Sequence, residues 1–234
     1  MKILAITLAR AGSKGVKGKN FRNVCGKPLL AYTLEETLKS KFISDYVFST
    51  DSKEMQDIAK SYGVDAPFLR PSKLASDKAT SSDALIHALK FMEDKNNCIY
   101  DYVVETMVTN PLKTVQDIDG TIELALKNKS NSAIAVHQLF DQHPARIKKI
   151  ISGKIQDFCV KEIPETRRQD LKPKAYIRSG SVYIMTRNML LKGLRYGVED
   201  SYAYILPPER VANIDEEIDL KLSLIHISEP TRPY

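Results

Sequence analysis

A regular alternation of strand-like and helix-like segments is the feature that most constrains this chain of 234 residues. Short apolar runs end at loops, and each loop leads into a stretch with apolar residues at helical spacing. This order predicts a largely parallel sheet with crossover helices. Because 43% of the residues are hydrophobic, the chain can bury a full core in one sizeable α/β domain.

The predicted elements follow one another without an internal repeat. The predicted strands cover residues 2–9, 45–51, 100–107, 132–138, 180–186 and 202–206. The predicted helices cover residues 29–40, 52–63, 81–93 and 114–128, with a short helix from Arg187 and a last one from Asp215. Ser52 is the expected cap of the second helix and Gly63 its stop.

Between about residues 139 and 178 the alternation weakens. This stretch is rich in Lys, Arg, Gln and Pro and holds two short β-like pieces, KIIS and KIQDF. We expect an excursion from the main sheet within a single domain over residues 1–222. Residues 223–234 do not continue the preceding helical pattern, since two prolines fall in four residues, and they are left out of the fold argument as a non-native-looking tail.

Positive charge is concentrated at the start of the chain. The formal net charge is +6, but residues 1–34 alone hold seven Lys or Arg and no Asp or Glu. A nucleic-acid surface usually spreads its charge along a face and adds stacking aromatics, whereas this charge sits in one short loop with a single Phe. The pattern favours a compact polyanion such as a triphosphate over a nucleic acid.

The basic loop, LARAGSKGVKGKN (8–20), follows the first predicted strand. Its glycines Gly12, Gly15 and Gly18 allow tight turns in which several N–H groups point at one anion. The loop lies at the carboxyl end of a strand, where open α/β sheets bind ligands. The loop matches neither the Walker A pattern nor the G-x-G-x-x-G fingerprint. Its glycines and cations still predict phosphate binding, but through a different motif.

Six segments in order resemble the CMP-sialic acid synthetase (acylneuraminate cytidylyltransferase) family, and together they span roughly residues 2 to 222. They are ARAGSKGVKGKN, GKPLLAYTLE, YVFSTDSKEMQDIAKSYG, RPSKLASDKATSSDALIHAL, TNPLK and IDEEIDL. The resemblance implies a Rossmann-like α/β/α nucleotide-diphospho-sugar transferase fold with a small dimerisation excursion, which region 139–178 fits. It also implies an enzyme that condenses CTP with a sialic-acid-like 2-keto-3-deoxy sugar acid (a nonulosonic acid) to give a CMP-sugar and pyrophosphate. The implied metal cofactor is Mg²⁺.

The resemblance also assigns roles to individual residues. Arg10 and Lys14 match the phosphate contacts, and Asp215 matches the catalytic aspartate and Mg²⁺ ligand. The wider nucleotide-binding set is Arg10, Gly12, Ser13, Lys14, Lys19, Asn20, Arg70 and Ser81. The arginines and glutamine in or beside the excursion suit the carboxylate that substrates of this class carry; they are Arg146, Arg168, Gln169 and Arg178.

Three departures from the family pattern cluster on the sugar side. Asn213 stands where the family usually has a second aspartate, so the metal site is predicted as Asp215 with the oxygen of Asn213. Met107 and Val108 replace a Gln-Pro pair, and the N-G-A-[IV]-Y stretch appears as Ser179–Tyr183. The sequence therefore predicts CTP more firmly than any particular sugar.

Two alternatives stay open. An octulosonate cytidylyltransferase usually carries Ser-Thr-Arg-Leu-Pro where this chain has Ser-Lys-Gly, and it ranks second. A non-catalytic nucleotide-binding relative is suggested only by Asn213 and Met107.

The three scattered cysteines form no C-x-x-C pair, and no apolar run reaches the roughly 20 residues of a membrane span. We therefore expect a cytoplasmic protein that binds neither membrane nor nucleic acid, and the family resemblance implies a homodimer.

Overall fold

The computed structural model describes residues 1–12, 18–197, 199–219 and 221. Its main sheet has six strands in the order β10-β6-β9-β5-β1-β4. These strands are β1 (Ile3–Leu8), β4 (Asp45–Ser49), β5 (Tyr102–Thr106), β6 (Ser132–Leu139), β9 (Ala175–Thr186) and β10 (Ser201–Ile205). The predictions for 223–234 and for the end of the last helix lie outside the described residues.

The helices cover both faces of this sheet. They are α1 (Leu29–Leu38), α2 (Lys53–Ser61), α3 (Ser81–Asn96), α4 (Val115–Asn128) and α5 (Arg187–Leu191). Helices α3 and α5 pack on the face that carries Leu4, Val47 and Val103, while α4 packs on the opposite face against Ile3 and Val104. The predicted three-layer α/β/α fold with a mostly parallel sheet is confirmed.

Strand β9 departs from the predicted direction and length. It pairs antiparallel with both β5 and β6, although β1, β4, β5, β6 and β10 run parallel. It begins at Ala175, five residues before the predicted strand start at Gly180, and a register shift with β6 lies between Ile134 and Val136. The excursion therefore returns directly as a strand inserted into the middle of the sheet.

The excursion itself carries a small separate hairpin. Strands β7 (Lys148–Ile151) and β8 (Lys154–Asp157) form a two-stranded antiparallel sheet, as the two β-like pieces predicted. Ile150 faces Ile155 across the pair, and these side chains are 76% and 73% exposed. A second, very short pair, β2 (Asn23–Val24) with β3 (Lys27–Pro28), follows the basic loop and was not predicted.

Local capping explains where the helices begin. The Ser52 side chain accepts from the Met55 amide at the start of α2, as predicted. The cap of α3 is Thr80, whose hydroxyl accepts from the Asp83 amide in a capping box. Ser81 is therefore the first helical residue and not the cap. Across the part of the chain that the structure describes, no helix combines the length and apolarity needed to cross a membrane.

A buried ion pair joins α4 to the segment after β10. Asp117 is fully buried, and the Arg210 guanidinium donates to both of its oxygens at 2.8 and 2.9 Å. Asp117 also accepts from the Thr114 amide as the acidic member of a capping box. Because both oxygens are satisfied, the charge is tolerated in the core.

Replacing this buried carboxylate tests how much the pair contributes. Asp117→Ala leaves the Arg210 charge without its partner, so we expect the free energy of unfolding to fall by roughly 3–5 kcal/mol. Asp83 holds the same capping-box position in α3 but is exposed, so Asp83→Ala should cost only about 1 kcal/mol. Urea denaturation measures the free energy of unfolding of both variants. Equal losses in the two variants would contradict a stabilising role of the Asp117–Arg210 pair.

Candidate active site

A cleft of about 610 Å³ opens at the carboxyl ends of the central parallel strands. Its walls come from residues just after β1 and β5, from the start of α3 and from the segment after β10. Since parallel strands present their carboxyl ends at one edge of a sheet, the topology gathers these distant segments into one place. Six residues predicted for the nucleotide or the metal line it: Arg10, Lys19, Asn20, Arg70, Ser81 and Asp215.

The described part of the basic loop is closed on itself. Asn20 Nδ2 donates to the Arg10 carbonyl at 3.2 Å, so the two ends of the loop meet. Gly18 adopts a left-handed conformation at φ 64°, which a residue with a side chain would adopt only with strain. Gly12 is exposed. The predictions for Ser13 and Lys14 lie outside the described residues.

Lys19 joins the loop to the segment after β10. It is 7% exposed, and its ammonium donates to the Ile214 carbonyl at 2.6 Å and to Asp215 Oδ1 at 3.0 Å. The pair links residues far apart in the sequence and fixes Asp215 at the cleft. The structure thus gives Lys19 a positioning contact that the sequence did not predict, beside its predicted place among the phosphate-loop cations.

Arg10 lies across the mouth of the cleft. Its guanidinium donates to Asp77 at 2.9 Å and to the Ala75 carbonyl at 3.4 Å. Both partners belong to the segment between α2 and α3, which forms the opposite wall. The neighbouring Ala11 amide donates to Asp51 at 2.9 Å. Arg10 is therefore held at the cleft by contacts that an anionic ligand can replace.

Arg70 is a buried residue of the cleft wall. It is 7% exposed and donates to the carbonyls of Ala9 and Ser49, at 2.7 and 2.6 Å. Burial lowers the pKa of its guanidinium, with Asp51 acting in the opposite direction. Arg70 thereby ties the ends of β1 and β4 together and keeps a positive charge beside the loop. Ser81 stands next to it at the first turn of α3.

The predicted metal ligands lie side by side. The Asn213 amide nitrogen donates to Asp215 Oδ2, while Lys19 donates to Asp215 Oδ1. A Cβ on Gly180 would come within 3.2 Å of the Asn213 oxygen, and Gly180 has φ 61°, so this position favours glycine. Among the described residues, no group of three or more His, Cys, Asp or Glu is arranged to hold a metal ion.

The four residues predicted for the sugar lie outside the cleft lining of the described chain. Arg146 and Arg168 both approach Asp141, at 3.5 and 3.6 Å, and Arg168 stacks on the Phe140 ring. Gln169 lies in an exposed turn of 3₁₀ helix beside them. Arg178, on β9, donates to the Tyr196 hydroxyl at 2.6 Å. Within one chain the structure does not bring this set to the nucleotide residues.

One buried ion pair at the cleft was missed from the sequence. Glu105, on β5, lines the cleft at 2% exposure and accepts from Arg195 at 2.8 Å. Arg195 also lies over the Tyr183 ring. A charged residue in the otherwise apolar run YVVET could have pointed to Glu105, but no local signal identifies Arg195 as its partner.

The arrangement suits the transfer of a phosphate-bearing group. Cationic groups of Arg10, Lys19 and Arg70 surround one cleft, and they can neutralise a polyphosphate. A carboxylate, Asp215, stands at its edge. Nothing covalent is required of the protein in such a reaction, because positioning and charge neutralisation supply most of the catalysis.

Known proteins are similar to this chain over most of its length. The family model described as "Cytidylyltransferase" matches residues 4–213. A pseudaminic acid cytidylyltransferase of Campylobacter jejuni is 32% identical over 226 residues, covering 96% of each chain. A CMP-N,N'-diacetyllegionaminic acid synthase of Legionella pneumophila is also 32% identical, covering 94% of this chain and 91% of that one.

A solved structure has a similar fold. The solved structure of a CMP:2-keto-3-deoxy-manno-octonic acid synthetase in complex with CTP superposes with a TM-score of 0.71. It covers 99% of this chain and all of its own, at 14% identity, so it shows the shared fold alone. The chain belongs to the cytidylyltransferase family and is a nucleotidyltransferase.

The Glu105–Arg195 pair predicts a pH-dependent stability. Burial raises the pKa of Glu105, and Arg195 opposes that rise. In Arg195→Met the carboxyl keeps its proton to a higher pH than in the unfolded chain, so the free energy of unfolding should fall as pH rises from about 4.5 to 7. At pH 7 we expect a loss of roughly 3–5 kcal/mol.

Urea denaturation at pH 5 and pH 7 measures this loss. The double variant Glu105→Gln/Arg195→Met removes the titrating group and serves as the control, so its stability should change much less between pH 5 and pH 7 than that of Arg195→Met. A loss in Arg195→Met that does not change between pH 5 and pH 7 would contradict an unpaired Glu105.

Proposed function

We propose that this protein condenses CTP with a nonulosonic acid to give the CMP-sugar and pyrophosphate. The observation that carries the proposal is the convergence of Arg10, Lys19, Arg70 and Asp215 on one cleft at the carboxyl edge of the sheet. Relatives that act on pseudaminic and legionaminic acids, each 32% identical, support the sugar class. Their equal similarity leaves the choice among nonulosonic acids to experiment.

In the proposed reaction the anomeric hydroxyl attacks the α-phosphate in line. A bond forms between the anomeric oxygen and the α-phosphorus, the bond from the α-phosphorus to the bridging oxygen of the leaving group breaks, and pyrophosphate departs as the hydroxyl loses its proton. Arg10 and Lys14 neutralise the phosphates, and Lys14 is nearest to the developing charge. Gly12, Ser13 and Asn20 shape the loop, while Arg70 and Ser81 hold the nucleotide.

Mg²⁺ is part of the proposal. Magnesium is commonly held by one or two carboxylates together with substrate phosphates and water, and Asp215 offers one carboxylate at the cleft edge. Asp215 would hold the metal, with the amide oxygen of Asn213 as the second protein ligand. When bound, the metal would supply charge neutralisation on the phosphates. Lys19 keeps Asp215 in place through their 3.0 Å contact.

We further propose that the excursion makes a homodimer. Its hairpin exposes Ile150 and Ile155 on one face, and Ile163 nearby is 75% exposed. Apolar surface of this extent on a projecting hairpin is typical of a protein interface. A second copy seated there would offer Arg146, Arg168, Gln169 and Arg178 a route to the sugar carboxylate that a single chain does not provide.

A cytoplasmic location completes the proposal. CTP is an intracellular nucleotide, and Cys98 and Cys159 are free thiols. Free thiols are typical of a reducing compartment.

A substrate panel tests the reaction. Pyrophosphate release is measured with CTP and, in turn, pseudaminic acid, a legionaminic acid, N-acetylneuraminic acid and the octulosonic acid. We expect turnover with one or more of the nonulosonic acids and at least a hundredfold less with the octulosonic acid. CTP binding without turnover on any sugar would instead support a non-catalytic relative.

Lys14→Ala tests the phosphate loop. Removing one preorganised donor to a developing charge should lower kcat roughly 100- to 1000-fold. Lys17→Ala, which removes a cation of the same loop that is not among the residues predicted to bind the nucleotide, is the control and should lower kcat less than tenfold. A loss below tenfold in Lys14→Ala would refute its role.

Ile150→Asp tests the dimer. A charge in the centre of the apolar hairpin face should be costly to bury, so the variant should run as a monomer in light scattering coupled to gel filtration. Ile99→Asp, at a residue that is 62% exposed beyond α3, is the matched control and should stay dimeric. A monomeric wild type would contradict the proposed interface.

A further inference from the structure

Lys113 is a fully buried lysine that neither the phosphate loop nor the metal site uses. It is 1% exposed and follows the turn between β5 and α4. Its ammonium donates at 2.6 Å to each of three oxygens, the Thr33 hydroxyl on α1 and the carbonyls of Met107 and Asn110. An ammonium has three donors, so all of them are satisfied, and all three acceptors are neutral.

The turn that Lys113 holds is a wall of the cleft. Met107, Val108 and Thr109 line it. The turn is also tied to two other site segments, since the Thr109 hydroxyl donates to the Gly180 carbonyl at 3.4 Å and the Ile214 amide donates to the Thr109 carbonyl at 2.8 Å. Ile214 directly precedes Asp215.

We propose that Lys113 is a positioning residue that fixes the Met107–Asn110 turn. Through this turn it fixes one wall of the cleft and the segment that carries Asp215. Lys113 acts from below the turn and touches no substrate. A charged group with no water around it makes strong hydrogen bonds. Losing one of these hydrogen bonds costs free energy because it leaves a buried carbonyl unsatisfied. The proposal rests on the proposed function for its kinetic readout.

The charge on Lys113 is sensitive to pH. Burial lowers the pKa of Lys113 to about 7, while Glu36 on α1 and Asp117 on α4 act in the opposite direction. Neither carboxylate bonds to Lys113: Glu36 accepts from the Val115 amide and pairs with Lys39, and Asp117 pairs with Arg210. Above pH 7 the neutral amine donates to only two of its three acceptors, so the turn loosens as pH rises.

Three variants separate positioning from simple destabilisation. In Lys113→Met we expect kcat/KM for the nonulosonic acid to fall at least tenfold at pH 7, with the Kd of CTP changed less than threefold. Thr33→Val removes one acceptor with little change in shape and should give a smaller fall, should Lys113→Met fail to fold. Arg187→Met, which breaks the buried Glu93–Arg187 pair away from the cleft, should lower stability without this kinetic change.

The conservative variant gives the sharpest comparison. Arginine does not deprotonate in proteins. We expect wild-type kcat/KM to fall between pH 7 and pH 9, and Lys113→Arg should keep kcat/KM within tenfold at pH 7 and lose that fall. If wild type and Lys113→Arg share one pH profile, or if Lys113→Met leaves kcat/KM unchanged, the proposal is overturned.

Hydrogen exchange gives a readout that does not depend on the sugar. In Lys113→Met the amides of Met107 and Ile214 should exchange at least tenfold faster than in wild type. Met107 belongs to the released turn and donates to the Ser181 carbonyl on β9, and Ile214 donates to the carbonyl of Thr109 in that turn. Unchanged exchange would overturn the proposal even if no sugar is turned over. Absence of turnover in wild type with faster exchange in the variant would count against the proposed function alone.

Discussion

The contact between Lys19 and the Ile214–Asp215 segment is the constraint on which the site depends. It joins the basic loop after the first strand to a segment near the other end of the described chain, at 2.6 Å to the Ile214 carbonyl and 3.0 Å to Asp215. Lys19 is 7% exposed and the Asp215 side chain is 58% exposed, so a buried ammonium holds a solvent-accessible carboxylate beside a loop rich in positive charge. Without this contact Asp215 would not be fixed at the edge of the cleft.

Most of the fold could be predicted from periodicity, because the strands and helices of this α/β domain each carry their own local pattern. The direction of β9 could not be predicted, because the apolar pattern of a strand does not indicate whether it runs parallel or antiparallel to its neighbours. Its pairing partners depend on how the whole sheet assembles. Its early start at Ala175 was hidden in a stretch of polar composition.

The site was predictable where a residue belongs to a contiguous motif and unpredictable where a contact is tertiary. Arg10, Arg70 and Ser81 were predicted from local segments and line one cleft. The roles of Lys19 toward Asp215, Arg195 toward Glu105 and Lys113 toward its turn arise only when distant elements pack. The residues proposed for the sugar lie away from the cleft lining within the described chain, and only the proposed second copy would bring them to a cleft.

The structure of a complex with CTP would test most directly whether this edge of the sheet holds the nucleotide. The account predicts the triphosphate against residues 10–20, with the Arg10 guanidinium turned from Asp77 toward phosphate and the cytidine beside Arg70 and Ser81. A CTP molecule bound elsewhere on the surface, or a triphosphate directed away from the basic loop, would contradict it.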